Sequence, residues 1–203
     1  MKAVVFDFGG VVAEEGFREG LRAIGKKNGL NPDNFYAVAG ELVYQTGYVK
    51  GMSDESVYWK AVRKKTGITG DDGELREEIL KRFILRREML EYAEKVRASG
   101  MIAAILSDQT NWLEEIDREK SFFHHFDFVF NSFRMGKGKR DPSVFRDICA
   151  KMGLRCDEVL FIDDNPENIK RASSEGMRVI HFRGIDNFKE EAGKELNMYG
   201  DRK

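Results

Sequence analysis

Cysteine is nearly absent from this sequence. The 203 residues include only Cys149 and Cys156, and their spacing matches no metal-ligand motif. Two cysteines also cannot build a disulfide framework, so we interpret both as reduced packing residues.

Long apolar runs are missing as well. The N-terminal apolar segment ends at the charged Asp7, which makes it too short for a signal peptide or a transmembrane helix. No later run has the length that a membrane span requires. We therefore expect a soluble cytoplasmic protein with no membrane partner.

Neither sign of charge dominates the chain. It has 34 Lys and Arg against 35 Asp and Glu, for a net charge of -1. This balance argues against a nucleic-acid partner held by bulk charge. The length fits one domain, or one domain with a smaller insert, and a hydrophobic fraction of 41% is enough for a core. The oligomeric state, monomer or dimer, stays open.

Short apolar runs alternate with helical patterns over most of the chain. Continuous apolar runs without polar alternation are typical of strands buried on both faces. Strands that alternate with helices predict an α/β fold with a doubly wound parallel sheet covered on both sides. The predicted strands are 3–6, 101–106, 126–130, 158–162 and 178–182, and the predicted helices between them are 86–98, 113–120, 142–152 and 165–176.

The segment 14–85 breaks this alternation. Apolar residues recur in it at helical spacing, as at Phe17, Leu21 and Ile24, and no strand pattern is present. Asn31-Pro32 and the glycines of 67–73 are interpreted as turns. We expect a core domain of residues 1–13 and 86–203, with an all-helical domain of residues 14–85 inserted after the first strand.

Polar side chains follow several of the predicted strands. Because ligands bind at the carboxyl ends of parallel strands, these residues should converge at one edge of the sheet. They are Asp7, Ser107 with Asp108, Asn131 with Ser132, and Asp163 with Asp164.

Each group has a functional and an ordinary structural interpretation. Asp7 could be a reactive carboxylate, with the N–H groups of Gly9 and Gly10 cradling an anion, or it could cap a turn. The repulsion between Asp163 and Asp164 could be relieved by Mg²⁺, or the pair could cap a helix.

Two further groups carry the same ambiguity. Ser107 and the helix N–H groups after it could bind phosphate, or Ser107 could cap that helix. Lys139 could neutralise a phosphate and a nucleophile together, or it could be solvated. Convergence of all these groups favours the functional interpretation.

In this order, the four groups resemble the motifs of the haloacid dehalogenase superfamily. The motifs are Val4-Val5-Phe6-Asp7-Phe8-Gly9-Gly10-Val11-Val12, Leu106-Ser107, Lys139 before the helix at Pro142, and Phe161-Ile162-Asp163-Asp164-Asn165-Pro166. The likeness spans most of the chain and places the helical insert where this family has its small cap domain. Within the family, the chain is similar to small sugar-phosphate phosphatases and to the phosphatase domain of soluble epoxide hydrolase.

The resemblance implies a phosphatase with a Mg²⁺ cofactor and a small phosphorylated metabolite as substrate. Asp7 would attack phosphorus and form an aspartyl-phosphate. The cation would be held by Asp7, the Gly9 carbonyl, Asp164 and Asp163. The phosphate would be bound by Ser107, Asp108 and the backbone of Gly9 and Gly10, with Lys139 stabilising its charge. The aromatic residues of the cap would help to select the substrate.

Two positions depart from the family pattern. Gly9 stands where most of these phosphatases have a second aspartate as general acid and base. Its loss predicts slow turnover, a preference for good leaving groups, or another proton donor such as Glu14 or Glu15. Arg140 stands where a proline usually follows the motif lysine, which leaves open whether Lys137 or Lys139 enters the site. Two alternatives therefore remain: a 2-haloacid dehalogenase, and a non-catalytic phosphate- or partner-binding relative.

Overall fold

Five parallel strands form one sheet in the computed structural model, which describes residues 1–196, with side chains to Lys194. The spatial order of the strands is β3-β2-β1-β4-β5. The strands are β1 (Ala3–Phe6), β2 (Ile102–Ser107), β3 (Phe128–Asn131), β4 (Val159–Asp163) and β5 (Arg178–His181). All four neighbouring pairs are parallel, so their carboxyl ends meet at one edge.

Ten α-helices accompany this sheet in the described part of the chain. The first four, α1 (Gly16–Lys27), α2 (Pro32–Gln45), α3 (Glu55–Thr66) and α4 (Asp72–Leu80), lie between β1 and the helix before β2. The others are α5 (Arg87–Ala98), α6 (Trp112–Lys120), α7 (Ser132–Met135), α8 (Ser143–Lys151), α9 (Pro166–Ser174) and α10 (Ile185–Leu196). None of the helices described is long and apolar enough to cross a bilayer.

Side chains of β1 alternate between two buried clusters, one on each face of the sheet. Val4 and Phe6 belong to the cluster that includes apolar residues of α5 and α10. Ala3 and Val5 belong to the cluster formed with α8 and α9. Burial on both faces explains why these strands carry no polar alternation. The predicted α/β fold with a doubly wound parallel sheet is confirmed.

The cluster around Val4 and Phe6 continues into α1 to α4, where it includes Leu21, Phe35 and Trp59. The helical segment is therefore packed onto the core without a break in the buried apolar surface. Its division from the core as a separate cap domain, 14–85 against 1–13 and 86–203, stays a prediction. Residues 197–203 of that predicted core lie outside the described part of the chain.

Helix α2 begins where the sequence was interpreted as a turn. The Asn31 side chain accepts hydrogen bonds from the N–H groups of Asp33 and Asn34, and Pro32 occupies the first helical turn. An Asn-Pro pair suits a helix start as well as a turn, because the missing proline N–H is not needed there. The helix at Pro142 likewise begins one residue later than expected, at Ser143, whose N–H is bound by the Asp141 side chain.

Candidate active site

Asp7 directly follows β1 and is buried at the carboxyl edge of the sheet. Its N–H donates to the Ile162 carbonyl at 2.8 Å, which extends the pairing of β1 with β4. One carboxylate oxygen, Oδ1, accepts a hydrogen bond from the Phe8 N–H at 2.7 Å. The other oxygen therefore faces the site with its position fixed by the strand.

Lys139 bridges two of the acidic groups. Its Nζ lies 2.8 Å from Asp7 Oδ2 and 2.7 Å from Asp163 Oδ2, and the residue is 2% exposed. Burial alone would lower the pKa of Lys139, but Asp163 and Asp7 outweigh burial and raise the pKa, so the ammonium group stays charged. Lys137 instead binds Ser143 and Asp147. The structure therefore brings Lys139, and not Lys137, to Asp7.

The loop that carries Lys139 is held by Asp108. The Asp108 carboxylate accepts hydrogen bonds from the Lys139 N–H at 2.8 Å and from the Tyr44 hydroxyl at 3.2 Å. A Cβ on Gly138 would lie 2.7 Å from the Asp108 carboxylate, so only glycine permits this approach. The Asp108 carboxylate is therefore engaged in holding this loop, and its predicted phosphate contact stays a prediction.

Asp163 and Asp164 follow β4 and differ in their surroundings. Asp163 is fully buried, and it accepts hydrogen bonds from the Asn165 N–H and the Asn168 side chain as well as from Lys139. Asp164 is partly exposed and faces Gly10, where a Cβ would lie 2.3 Å from Asp164 Oδ2. Gly10 also has a φ of 85°, which favours glycine.

Carboxylate oxygens of Asp7, Asp163 and Asp164 all lie within 4.8 Å of one another. Burial raises the pKa of Asp7 well above its usual range, the charge of Asp163 raises it further, and Lys139 opposes both. Burial, followed by Asp163, also raises the pKa of Asp164. Three carboxylates face a single ammonium group, and excess negative charge of this kind with oxygen donors fits a bound Mg²⁺.

The other polar residues predicted at strand ends differ in whether they line the cavity. Ser107 is buried at the end of β2 and lines the cavity beside Asp7. Asn131 and Ser132 do not line it. Asn131 binds the Phe133 N–H and the Thr110 carbonyl, and the Ser132 hydroxyl donates to the Val49 carbonyl.

A cavity of about 410 Å³ opens above the sheet edge between the core and helices α1 and α2. Of the aromatic residues that precede α4, Phe17, Tyr36 and Tyr44 line it, whereas Tyr48, Tyr58 and Trp59 are buried in the core. Several other polar residues that line the cavity were not among the predicted site residues. They are Glu41, Gln109, Thr110, Arg140, Glu167, Asn168 and Arg171.

Only one of the two glutamates considered as proton donors reaches the cavity. Glu14 is exposed and pairs with Arg86 at 2.8 Å. Glu15 is partly buried and lines the cavity with Asp7 and Gly9. Burial raises the pKa of the Glu15 carboxyl, an effect that Arg18 partly offsets.

The fold and the position of this site are those of α/β enzymes that bind ligands at the carboxyl ends of parallel strands. The sequence model of the haloacid dehalogenase-like hydrolases matches residues 1–175. The chain therefore belongs to the haloacid dehalogenase-like hydrolase family, and it is an enzyme of that family. The resemblance drawn from the four motifs is confirmed.

Two characterised relatives share part of the sequence. The chain is 29% identical over 157 residues to a phosphoserine phosphatase of Thermus thermophilus, covering 73% of this chain and 62% of that protein. It is 28% identical over 106 residues to bifunctional epoxide hydrolase 2 of Rattus norvegicus, covering 49% of this chain and 19% of that protein. The chain thus spans less than two thirds of the length of either relative.

Solved structures share the fold. A haloacid dehalogenase family enzyme of Bacteroides thetaiotaomicron has a TM-score of 0.76 at 20% identity, covering 94% of this chain and 98% of that one. Its complex with magnesium and inorganic phosphate has a TM-score of 0.70 at 20% identity, covering 89% and 93%. An L-2-haloacid dehalogenase of Xanthobacter autotrophicus has a TM-score of 0.66 at 17% identity, covering 97% and 84%. These likenesses establish the fold and do not separate phosphatase from dehalogenase chemistry.

Proposed function

We propose that this protein is a Mg²⁺-dependent phosphatase that hydrolyses a small phosphorylated metabolite through an aspartyl-phosphate on Asp7. The observation that carries the proposal is the position of Lys139 Nζ, 2.8 Å from Asp7 and 2.7 Å from Asp163, with Asp164 in the same cluster. This arrangement holds a nucleophile in place and supplies positive charge where a phosphate would bind.

Asp7 Oδ2 is the nucleophilic atom in this proposal. Oδ1 accepts the Phe8 N–H, whereas Oδ2 lies beside the Lys139 ammonium group, which would also contact the phosphate. The Ser107 hydroxyl and the N–H of Asp108 bind the phosphate oxygens, and the Lys139 ammonium group offsets the charge on both reactants. Attack of Asp7 on phosphorus releases the alcohol, and water then cleaves the aspartyl-phosphate to restore Asp7.

Asp7, Asp164 and the Gly9 carbonyl are the groups that would hold Mg²⁺. No backbone N–H of the described residues donates to the Gly9 carbonyl, whereas the neighbouring Phe8 carbonyl accepts from Ala13. Asp163 contacts Lys139, Asn165 and Asn168, and it would act mainly by orienting the other groups. When bound, the cation supplies positive charge that offsets the repulsion between carboxylates and phosphate.

The cavity fits a small substrate. Its volume of about 410 Å³ falls within the range of small-molecule sites. Its lining combines aromatic rings, such as Tyr36 and Tyr44, with the charged side chains of Arg140 and Arg171. The phosphatase name of the Thermus relative, and the magnesium and inorganic phosphate complex of the Bacteroides enzyme, support a phosphorylated substrate.

The test is hydrolysis of a panel of sugar phosphates, nucleotides and acyl phosphates by wild type and Asp7→Asn. We expect phosphate release that EDTA abolishes, that Mg²⁺ restores and that Asp7→Asn lacks. The matched control is Asp157→Asn, an exposed surface carboxylate paired with Arg155, which should behave as wild type.

The same assays separate the alternatives. Chloride release from 2-chloropropionate that EDTA leaves intact would replace the proposal with a dehalogenase. Absence of any turnover above Asp7→Asn, in the presence of Mg²⁺, would replace it with a non-catalytic binding protein.

A further inference from the structure

The proposed site has a nucleophile and positive charge, but its leaving group still needs a proton. An alkoxide is a poor leaving group, and proton transfer to it by a positioned side chain speeds such reactions by about 10²–10⁴-fold. Gly9, two residues after Asp7, carries no side chain that could do this. The donor must therefore come from elsewhere in the cavity lining.

Most carboxyl groups of that lining are already engaged. Asp108 accepts hydrogen bonds from Lys139 and Tyr44. Glu41 pairs with Arg140 at 2.9 Å, and Glu167 is exposed. Asp7 is the proposed nucleophile, and Asp164 is assigned to the cation site. Among the described lining residues, Glu15 is the carboxyl group that remains.

A tight turn brings Glu15 next to Gly9. The Gly10 N–H donates to the Ala13 carbonyl at 2.8 Å, and the Ala13 N–H donates to the Phe8 carbonyl at 2.8 Å, so the chain reverses after Gly10. Arg86 fixes the turn, because its Nη1 donates to the carbonyls of Gly10 and Ala13 at 2.6 and 2.9 Å.

As a result, Glu15 Oε1 lies 3.4 Å from the point where a Cβ on residue 9 would stand. The carboxyl of an aspartate at position 9 would extend from that Cβ. Glu15 thus places a carboxyl group in the part of the cavity that such an aspartate would occupy.

Glu15 immediately precedes α1, but its φ and ψ of -73° and 73° are not those of the extended caps seen at Asn31 and Asp54. Its side chain makes no capping hydrogen bond of ordinary geometry. The positive charge of Arg18 is the main favourable interaction of its carboxylate, and the Arg18 backbone N–H in the first turn of α1 also stabilises it. Glu15 is thus held at the start of α1 while its side chain lines the cavity.

We infer that Glu15 is the general acid and base of the phosphatase reaction, an assignment that rests on the proposed function. In the first step the Asp7 oxygen bonds to phosphorus, the bond from phosphorus to the leaving oxygen breaks, and Glu15 gives that oxygen its proton to yield the alcohol. In the second step the Glu15 carboxylate takes a proton from water as the water oxygen attacks phosphorus. The bond between phosphorus and Asp7 breaks, which releases phosphate and restores both carboxyl groups.

The test compares an activated ester with a poor leaving group in wild type and Glu15→Gln, both with Mg²⁺. For glycerol 3-phosphate, whose leaving group needs a proton, kcat/KM should fall by about 10²–10⁴-fold. For p-nitrophenyl phosphate, whose leaving group does not, kcat/KM should change little while kcat falls. Slow cleavage of the intermediate should then give a burst of about one p-nitrophenolate per active site.

Two further variants distinguish a proton-transfer role from a structural one. Gly9→Asp combined with Glu15→Ala should recover kcat/KM for glycerol 3-phosphate. Alanine vacates the space of the Glu15 carboxyl, and the other neighbour of a Cβ at position 9, Phe83, lies 3.6 Å away, which is ordinary contact. Glu14→Gln should keep wild-type kinetics, since Glu14 is exposed and outside the cavity. Thermal unfolding of each variant checks that it folds.

The outcomes separate the inference from the function on which it rests. The role of Glu15 would be overturned if a folded Glu15→Gln lost kcat/KM equally for both esters, or lost it for neither. The phosphatase proposal would still stand if Asp7→Asn abolished activity. If the double variant does not recover activity, that result would also argue against a proton-transfer role for Glu15. If wild type matches Asp7→Asn on every phosphomonoester, the proposed function falls, and this inference falls with it.

Discussion

Replacing Lys139 by methionine should destabilise the protein more than the loss of any surface lysine. Methionine keeps most of the volume of the side chain and removes its charge. The change leaves Asp7 and Asp163 facing each other without the ammonium group between them. Their side chains are 11% and 0% exposed, so water cannot replace Lys139.

The expected loss in the free energy of unfolding follows from this burial. Removal of one partner of a buried ion pair costs about 3–5 kcal/mol, because an uncompensated charge stays behind. For a chain of this size the melting temperature should fall by about 6–20 °C, from about 2–4 °C for each kcal/mol. Lys137→Met is the matched control. Its partner is Asp147, the two side chains are 31% and 41% exposed, and a pair of this kind contributes at most about 1 kcal/mol.

Urea denaturation in EDTA, followed by circular dichroism, measures both free energies of unfolding. A third variant, Lys139→Met with Asp163→Asn, should be more stable than Lys139→Met alone, because it removes one of the unpaired charges. If Lys139→Met and Lys137→Met differ by less than about 1 kcal/mol, the buried ion pair does not stabilise the fold in the way argued.

Two other substitutions test the cation site and the cavity rim. Gly10→Ala should displace Asp164 and lower Mg²⁺ affinity in calorimetry, since its Cβ would lie 2.3 Å from Asp164 Oδ2. Gly136 has a similarly positive φ but open space around a Cβ, so Gly136→Ala should lose stability and keep Mg²⁺ affinity. Equal Mg²⁺ affinities of Gly10→Ala and Gly136→Ala would refute the argument. Arg140→Ala should raise KM for phosphomonoesters by up to about fivefold, equivalent to about 1 kcal/mol for a partly exposed charge. Arg134→Ala, which removes an exposed charge outside the cavity, should leave KM unchanged, and an equal effect of the two would exclude a specific role for Arg140.

Much of the fold could be predicted from the sequence because its strands are buried on both faces. A run such as Ala3–Phe6 has no solvent-facing side, so every residue in it is apolar and the strand is recognisable. The start of helix α2, inside the segment expected to be helical, could not be predicted in the same way. Asn31-Pro32 serves equally well in a turn and at a helix start, and only the apolar contacts of Phe35, Ala39 and Val43 decide between them.

The site could be predicted where its residues follow strands, as Asp7, Ser107 and Asp163 do, because the topology alone brings strand ends together. Lys139 could not be separated from Lys137 in this way. Both lie in one basic loop. The Lys139 backbone is held by Asp108, whereas the Lys137 side chain binds Ser143 and Asp147. The contact between Lys139 and Asp108 requires Gly138 and joins residues 31 positions apart.

The proposed role of Glu15 shows what a motif of fixed positions cannot decide: the sequence offered both Glu14 and Glu15, and only the folded chain places one of them in the cavity. A motif is defined by residue types at fixed positions, and position 9 of this chain is glycine. The turn fixed by Arg86 makes residues 9 and 15 neighbours, so a carboxyl group from either position enters the same part of the cavity. Chemistry depends on where the carboxyl group lies and not on which residue supplies it. An absent motif residue therefore argues against activity only after the folded chain has been searched for a substitute.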